Sequence, residues 1–189
     1  MGYVTSFLTA FLTGLLTATL VVLIYRLKHY QRLSCTDELT QIDNYRGFRS
    51  AIPKIIERHR SNKTSFTLAL LDIDQFRRFN NESYAFGDKV LLEFIQYIIK
   101  QLPPDAYIAR FRSGDEFIVI LHCDMDSATS ILSKAKSNCQ EKIFAEMGNN
   151  IENRLSFSFG CTDFQTENDT LESMIERTEK ALHESKTLE

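Results

Sequence analysis

The chain has no tryptophan, only three prolines and only seven glycines among 189 residues, so aromatic repeats and glycine-rich linkers are excluded. Its four cysteines, Cys35, Cys123, Cys139 and Cys161, form no C-x-x-C pair and have no histidine at ligand spacing. A disulfide framework and a structural zinc site are both disfavoured, and reduced thiols are expected. Neither G-x-x-x-x-G-K-[ST] nor G-x-G-x-x-G occurs, which removes the P-loop and the dinucleotide fingerprint. An excess of basic charge is missing too. The net charge of −3 supplies no footprint for a nucleic-acid backbone, so no nucleic-acid polymer is expected as a partner. What is present is 43% hydrophobic and 25% charged, enough to bury one ordinary core.

Charge is also absent from Tyr3 to Tyr25, a stretch of 23 residues. Roughly 20 apolar residues cross a bilayer as a helix. A cleaved signal would carry its basic residues first and a small-residue cleavage site afterwards. Here Arg26, Lys28 and Arg32 follow the apolar run, so residues 1–27 read as a transmembrane helix and 28–36 as a basic juxtamembrane connector. The positive charges predict a single pass through the inner (cytoplasmic) membrane, with residues 37–189 in the cytoplasm. Ala10, Gly14 and Ala18 recur every four residues, as do Thr5, Thr9, Thr13 and Thr17. That spacing lets two helix backbones approach closely, as in a helix dimer, and such residues are also simply common in membrane helices.

The remainder alternates helical and extended patterns. Helical periodicity covers Asp43 to Arg60, interrupted or kinked at Pro53, then Gly87 to Gln101, Met125 to Met147 and Thr170 to Lys186. Strand-like runs cover Phe66 to Leu71, Tyr107 to Arg112, Phe117 to Leu121 and Leu155 to Cys161, the middle two joined by a hairpin at residues 113–116. The order helix, β-α-β-β-α-β, helix predicts an α+β fold of the ferredoxin-like or palm type. One antiparallel sheet with helices packed on a face is expected.

Acidic residues mark the strand ends. Asp72-Ile73-Asp74 closes the first strand and Asp115-Glu116 occupies the hairpin tip. Neighbouring strands would bring these carboxylates together, and clustered carboxylates call for a cation between them. Magnesium, which takes one or two carboxylates with water and substrate phosphates, suits the set better than calcium, and manganese is the substitute. Two such ions can activate a hydroxyl and neutralise phosphate charge. The bland alternative is that each aspartate merely terminates a strand in solvent.

Four ordered blocks give this soluble part a resemblance to the GGDEF family, the catalytic domain of diguanylate cyclases. Asp37-Glu38-Leu39-Thr40 with Asn44-Tyr45-Arg46-Gly47-Phe48 is similar to the opening DxLTGLxNRRxF motif. Asp72 to Asn80 resembles DIDxFKxxN, and Gly87-Asp88 follows it. Ser113-Gly114-Asp115-Glu116-Phe117 resembles the signature, with serine in place of the first glycine. Ser156 to Gly160 and Ala181 to Lys186 are similar to the SIG strand and the ALYxAK helix.

The resemblance implies condensation of two GTP molecules into cyclic di-GMP across a homodimer, with roles residue by residue. Asp72, the Ile73 carbonyl, Asp115 and Glu116 would hold metal, and Asp115 would take the proton in catalysis beside Glu116. Asn80 and Asp88 would read guanine, whose edge offers an acceptor and two donors. Arg77 and Lys186 would meet phosphates as cations, and Ser113 and Gly114 would let them approach the backbone. Three departures accompany the match. The usual Gly-His pair is replaced by Glu82-Ser83-Tyr84-Ala85-Phe86, which implies an altered base loop. The Gly-Arg-Asn expected after the last helix is not reached by Glu189, and Pro104-Asp105-Ala106-Tyr107 stands where the RxxD product-inhibition motif is expected. Feedback inhibition through that site is therefore not expected. Phe76, Phe79, Tyr84 and Phe86 read as core rather than as a stacking platform. Alongside the active cyclase stand two other readings: a degenerate domain that binds nucleotide or a regulatory partner without turnover, and a cyclase making a different cyclic dinucleotide.

Overall fold

The computed structural model describes residues 2–112, 114–141, 154–164 and 169–187. The chain divides into two compact units, Met1–Thr36 and Asp37–Glu189.

The first unit is a single helix, α1 (Gly2–Cys35), so residues 28–35 continue the helix. Within it Ala10–Leu27 is long and apolar enough to cross a membrane, and its side chains are exposed. Thr13 and Thr17 donate their hydroxyls to the carbonyls of Ala10 and Gly14, at 2.9 Å each. A threonine satisfied within its own helix can face hydrocarbon without a partner.

The second unit begins with α2 (Tyr45–Asn62). Asn44 caps it by accepting the Arg46 and Gly47 amides at 2.9 and 3.0 Å. The helix runs through Pro53, in contrast to the expected interruption. Pro53 lies on the solvent face, where water can satisfy the freed carbonyl, while Phe48 and Ile52 hold the other face on the sheet. There follow β1 (Thr67–Ile73), α3 (Arg77–Glu82), α4 (Tyr84–Gln101), β2 (Tyr107–Arg110), β3 (Glu116–Leu121), α5 (Met125–Glu141), β4 (Phe157–Asp163) and α6 (Leu171–Thr187). The helix expected to reach Met147 is seen to Glu141, and residues 142–147 lie outside the described residues.

All strand pairings are antiparallel, in the order β2-β3-β1-β4. Helices cover both faces of this sheet rather than one. Leu68 and Leu70 of β1 pack with Phe48, Ile52, Met174 and Leu182 from α2 and α6. Ala69, Leu71 and Ile73 alternate onto the other face, with Val90, Phe94, Leu132 and Cys139 from α4 and α5. This two-sided burial explains why β1 reads as a continuous apolar run.

A short helix, α3, and an earlier start to α4 replace the loop expected between Asn80 and Gly87. Ser83 makes the corner: its backbone is extended, and its hydroxyl accepts the Phe86 amide at 3.1 Å. Phe76 and Phe79 are buried and Phe86 packs against them, as a core reading requires. Tyr84 does not join them. It is 81% exposed, because the first turn of α4 turns it to solvent.

Candidate active site

The site grows from register. Asp72, one residue before the end of β1, lies opposite Glu116, the first residue of β3, and opposite Ser158 of β4. Directly paired residues project to the same face of a sheet, here the face that carries α6. Asp115 precedes Glu116, and its carbonyl accepts the Ile73 amide at 3.3 Å. The sheet therefore places Asp72, Ile73, Asp115 and Glu116 at one end of the β1–β3 pair.

The hairpin tip is built for exposed backbone. The Phe111 amide closes the turn on the Glu116 carbonyl at 2.9 Å. Arg112 has φ 51° and Gly114 φ 117°. The second value lies where an L side chain is strained, so glycine is required at 114. Arg110 holds the tip from beneath, its Nε and one terminal nitrogen donating to the Gly114 carbonyl at 2.9 and 2.7 Å. Its other terminal nitrogen meets both Asp37 oxygens at 3.1 and 3.0 Å. Asp37 also accepts the Thr40 amide and hydroxyl, at 2.9 and 2.7 Å, which gives the Asp37–Thr40 block a physical purpose. Ser113 lies outside the described residues.

On the far side of Asp72 lies a cavity of about 450 Å³ lined by Asp72, Asp74, Gln75, Ser156, Ser158 and Lys186. Asp74 is held there by the Ser158 hydroxyl, which donates to it at 2.8 Å. The Lys186 ammonium contacts Asp72 Oδ1 at 2.6 Å. Burial, then the charge on Asp72, pushes the Asp115 carboxyl above its usual value, with Lys186 and Arg110 opposing. Glu116 is pushed up by burial, then by Asp72 and Asp115, with Arg112 and Lys186 opposing. The carboxylates thus repel one another across a half-buried site.

Asn80 and Asp88 stand apart from this cavity, on α3 and α4. The Asn80 side chain lies against Gly87, the neighbour of Asp88 in the chain, where a Cβ would overlap its side-chain oxygen. Asp88 is exposed, and so is Arg77, the first residue of α3. Three residues of the site were given no role from the sequence: Arg110, Ser156 and Ser158. The two serines carried a signal, since period two aligns 156, 158 and 160 on one face of β4.

A family profile described as diguanylate cyclase, GGDEF domain, matches residues 34–189. The chain belongs to the GGDEF family. Among curated GGDEF relatives, diguanylate cyclase DgcP of Pseudomonas aeruginosa is 28% identical over 162 residues, covering 85% of this chain and 24% of that protein. Diguanylate cyclase A of Treponema denticola is 30% identical over 126 residues, covering 66% and 33%. The chain thus spans about a quarter to a third of the length of these relatives. The crystal structure of the coiled coil and GGDEF domain of DgcB from Caulobacter crescentus, in complex with c-di-GMP, superposes with a TM-score of 0.78 at 24% identity over 90% of each chain. Diguanylate cyclase SiaD of Pseudomonas aeruginosa, in complex with its activator SiaC, gives 0.72 at 21% identity, covering 93% of this chain and 67% of that one. At these identities the two structures attest the GGDEF fold.

GGDEF diguanylate cyclases use divalent metals. Among the described residues no three His, Cys, Asp or Glu side chains form a ready-made cage. The donor chemistry still fits magnesium. All available ligands are hard oxygens, and the carboxyls of Asp115 and Glu116 are raised by burial and then by the charge of Asp72, which a cation would offset. An ion that keeps its waters and takes phosphate oxygens needs only one or two carboxylates from the protein.

Proposed function

We propose that this chain is a membrane-anchored diguanylate cyclase that condenses two GTP molecules into cyclic di-GMP. The observation that carries the reading is the opposition of Asp72 and Glu116 across β1 and β3, with Asp115 beside them and a polar cavity alongside.

In this reading Asp72, the Ile73 carbonyl, Asp115 and Glu116 hold divalent cation, which when bound lends Lewis acidity to the α-phosphate. Asn80 and Asp88 hold the guanine edge. Gly114, with Ser113, presents backbone to the phosphates, and Arg77 and Lys186 neutralise them. Asp115, whose basicity is raised, accepts the proton of the attacking 3′-hydroxyl. Each 3′-oxygen forms a bond to the α-phosphorus of the other nucleotide, and each closure releases one pyrophosphate. Because one site holds one nucleotide, a two-fold homodimer has to present two sites to each other. Anchoring through Ala10–Leu27 confines the partners to a plane and raises their encounter frequency. Arg26, Lys28 and Arg32 keep the catalytic unit on the cytoplasmic side.

The test is to incubate the full chain in membrane vesicles with GTP or ATP and Mg²⁺ or Mn²⁺, identifying products by mass. Cyclic di-GMP from wild type and none from Asp72→Ala is the expected result. A product from ATP would redirect the assignment to another cyclic dinucleotide. GTP binding with no product from any nucleotide would sink cyclisation and leave a nucleotide- or partner-binding regulator. That second reading draws on one observation, the ammonium of Lys186 resting on the proposed metal ligand Asp72.

A further inference from the structure

The Lys186 ammonium rests on Asp72, the carboxylate proposed to hold metal, and its place there is built. Gly160 of β4 lies against α6 so closely that a Cβ would strike the Leu182 amide nitrogen and lie 2.6 Å from the Thr178 carbonyl oxygen. Gly160 opposes Leu70 and Ser158 opposes Asp72. Two strand residues advance roughly 6.6 Å and one helical turn about 5.4 Å, so four residues past Leu182 the helix delivers Lys186 level with Asp72. The resulting contact of 2.6 Å joins a carboxylate 12% exposed to an ammonium 39% exposed. Both line the cavity of about 450 Å³, which has room for a phosphate group beside them.

We infer that Lys186 is a resident counter-cation: without nucleotide its ammonium occupies Asp72 and disfavours a free divalent ion there, and nucleotide phosphates draw it away so that metal and nucleotide enter together. The inference rests on the proposed reading for the identity of the site, and it adds an order of binding. A divalent ion approaching Asp72 meets an ammonium already bonded to one oxygen, so it has to overcome that repulsion or displace the lysine. The lysine can leave because its charge rides on a flexible four-carbon stem, and phosphate oxygens offer it an equivalent partner. The cluster keeps a cation at every stage.

The experiment is a titration of the nucleotide-free full chain in detergent micelles with Mn²⁺, free ion being read by electron paramagnetic resonance. Lys186→Met is expected to bind Mn²⁺ about tenfold more tightly than wild type, a gain in keeping with removal of one partly solvated charge. Lys186→Arg, which keeps the charge, is expected to stay near wild type. A fluorescent GTP analogue with Mg²⁺ is expected to bind Lys186→Met several-fold more weakly. Equal or weaker Mn²⁺ binding by Lys186→Met, with circular dichroism unchanged and Lys186→Arg normal, overturns the inference. So does an absence of Mn²⁺ binding in all three chains. The isotherms need no turnover, so a chain that makes no cyclic dinucleotide defeats the proposed reaction and leaves this comparison intact.

Discussion

The two ends of the β1–β3 pair are made from the same strands and solve the burial of polar groups in opposite ways. At one end Asp72 faces Glu116, and carboxylates crowd in a half-buried site. At the other, just beyond the Thr67–Leu121 pair, polar groups satisfy one another. His59 Nε2 and His122 Nδ1 are 2.8 Å apart, with rings nearly parallel at 9° and centroids 5.0 Å apart, so the imidazoles meet edge to edge in one plane. Only one of the two facing nitrogens can carry the proton. Thr64 Oγ1 meets His59 Nδ1 at 2.9 Å, and Thr67 donates to the Cys123 carbonyl at 3.0 Å. The histidine end ties α2 to the sheet and holds the fold. The carboxylate end is strained, and that unspent electrostatic demand is what a cation and phosphates can meet.

The comparison can be broken at its most consequential point first. Asp72→Ala and Glu116→Ala should each lower cyclic di-GMP formation by about 10³-fold, as removal of a transition-state electrostatic contact does, with the circular dichroism spectrum retained. Activity within tenfold of wild type would remove these residues from the site. Next in size, Gly160→Val should cost about 3 kcal/mol in denaturant unfolding, because its side chain meets α6 backbone rather than a yielding side chain. It should also weaken nucleotide binding, since α6 carries Lys186. At the opposite end, His59→Gln should cost about 1–2 kcal/mol at pH 7 by disturbing a buried hydrogen-bonded chain.

Acid sharpens the contrast. Burial, then His122 and Arg58, holds the His59 imidazole below its ordinary value of 6.5. A group whose folded pKa is depressed contributes stability above its unfolded pKa, lost as pH falls from about 6.5 toward the lower folded value. Asp115 and Glu116 are shifted the other way, so each destabilises the metal-free fold when ionised and relaxes as pH falls through its raised value toward the unfolded 3.8 or 4.5. Melting between pH 7.5 and 5.5 should therefore fall less in His59→Gln than in wild type. The smallest effect expected is from Asp115→Asn, which should raise metal-free stability by a few tenths of a kcal/mol, well under the usual change of about 1 kcal/mol for a point substitution. A drop of more than 1 kcal/mol there would contradict the strain assigned to that end.

Much of this was legible in the residues. The β-α-β-β-α-β order follows from apolar period and turn chemistry, and the α+β fold is the one observed. The first strand, read as Phe66 to Leu71, is seen at Thr67–Ile73, since an apolar run shows where burial is and not where pairing stops. Burial of this strand on both faces was legible, because an unbroken apolar run is what such a strand shows, although the helices were expected on a face only. Leu68 and Leu70 serve one face and Ala69 and Leu71 the other. The Asn80–Gly87 corner was missed because short helices such as α3 leave little periodic signal, while Ser83 as a cap was in plain view.

Local chemistry alone settled which segments pair with apolar surroundings, where the hairpin turns, and that acidic residues would stand at strand ends, because these follow from periods and turn residues a few positions long. Tertiary structure decided the rest: that Asp72 meets Glu116 rather than another residue of the hairpin, that Arg110 joins Asp37 to the Gly114 carbonyl, and that α6 docks on Gly160 with Lys186 on Asp72. Register and helix docking are set by the packing of whole surfaces, so contacts between residues 73 or 114 positions apart exist only once the core has chosen them.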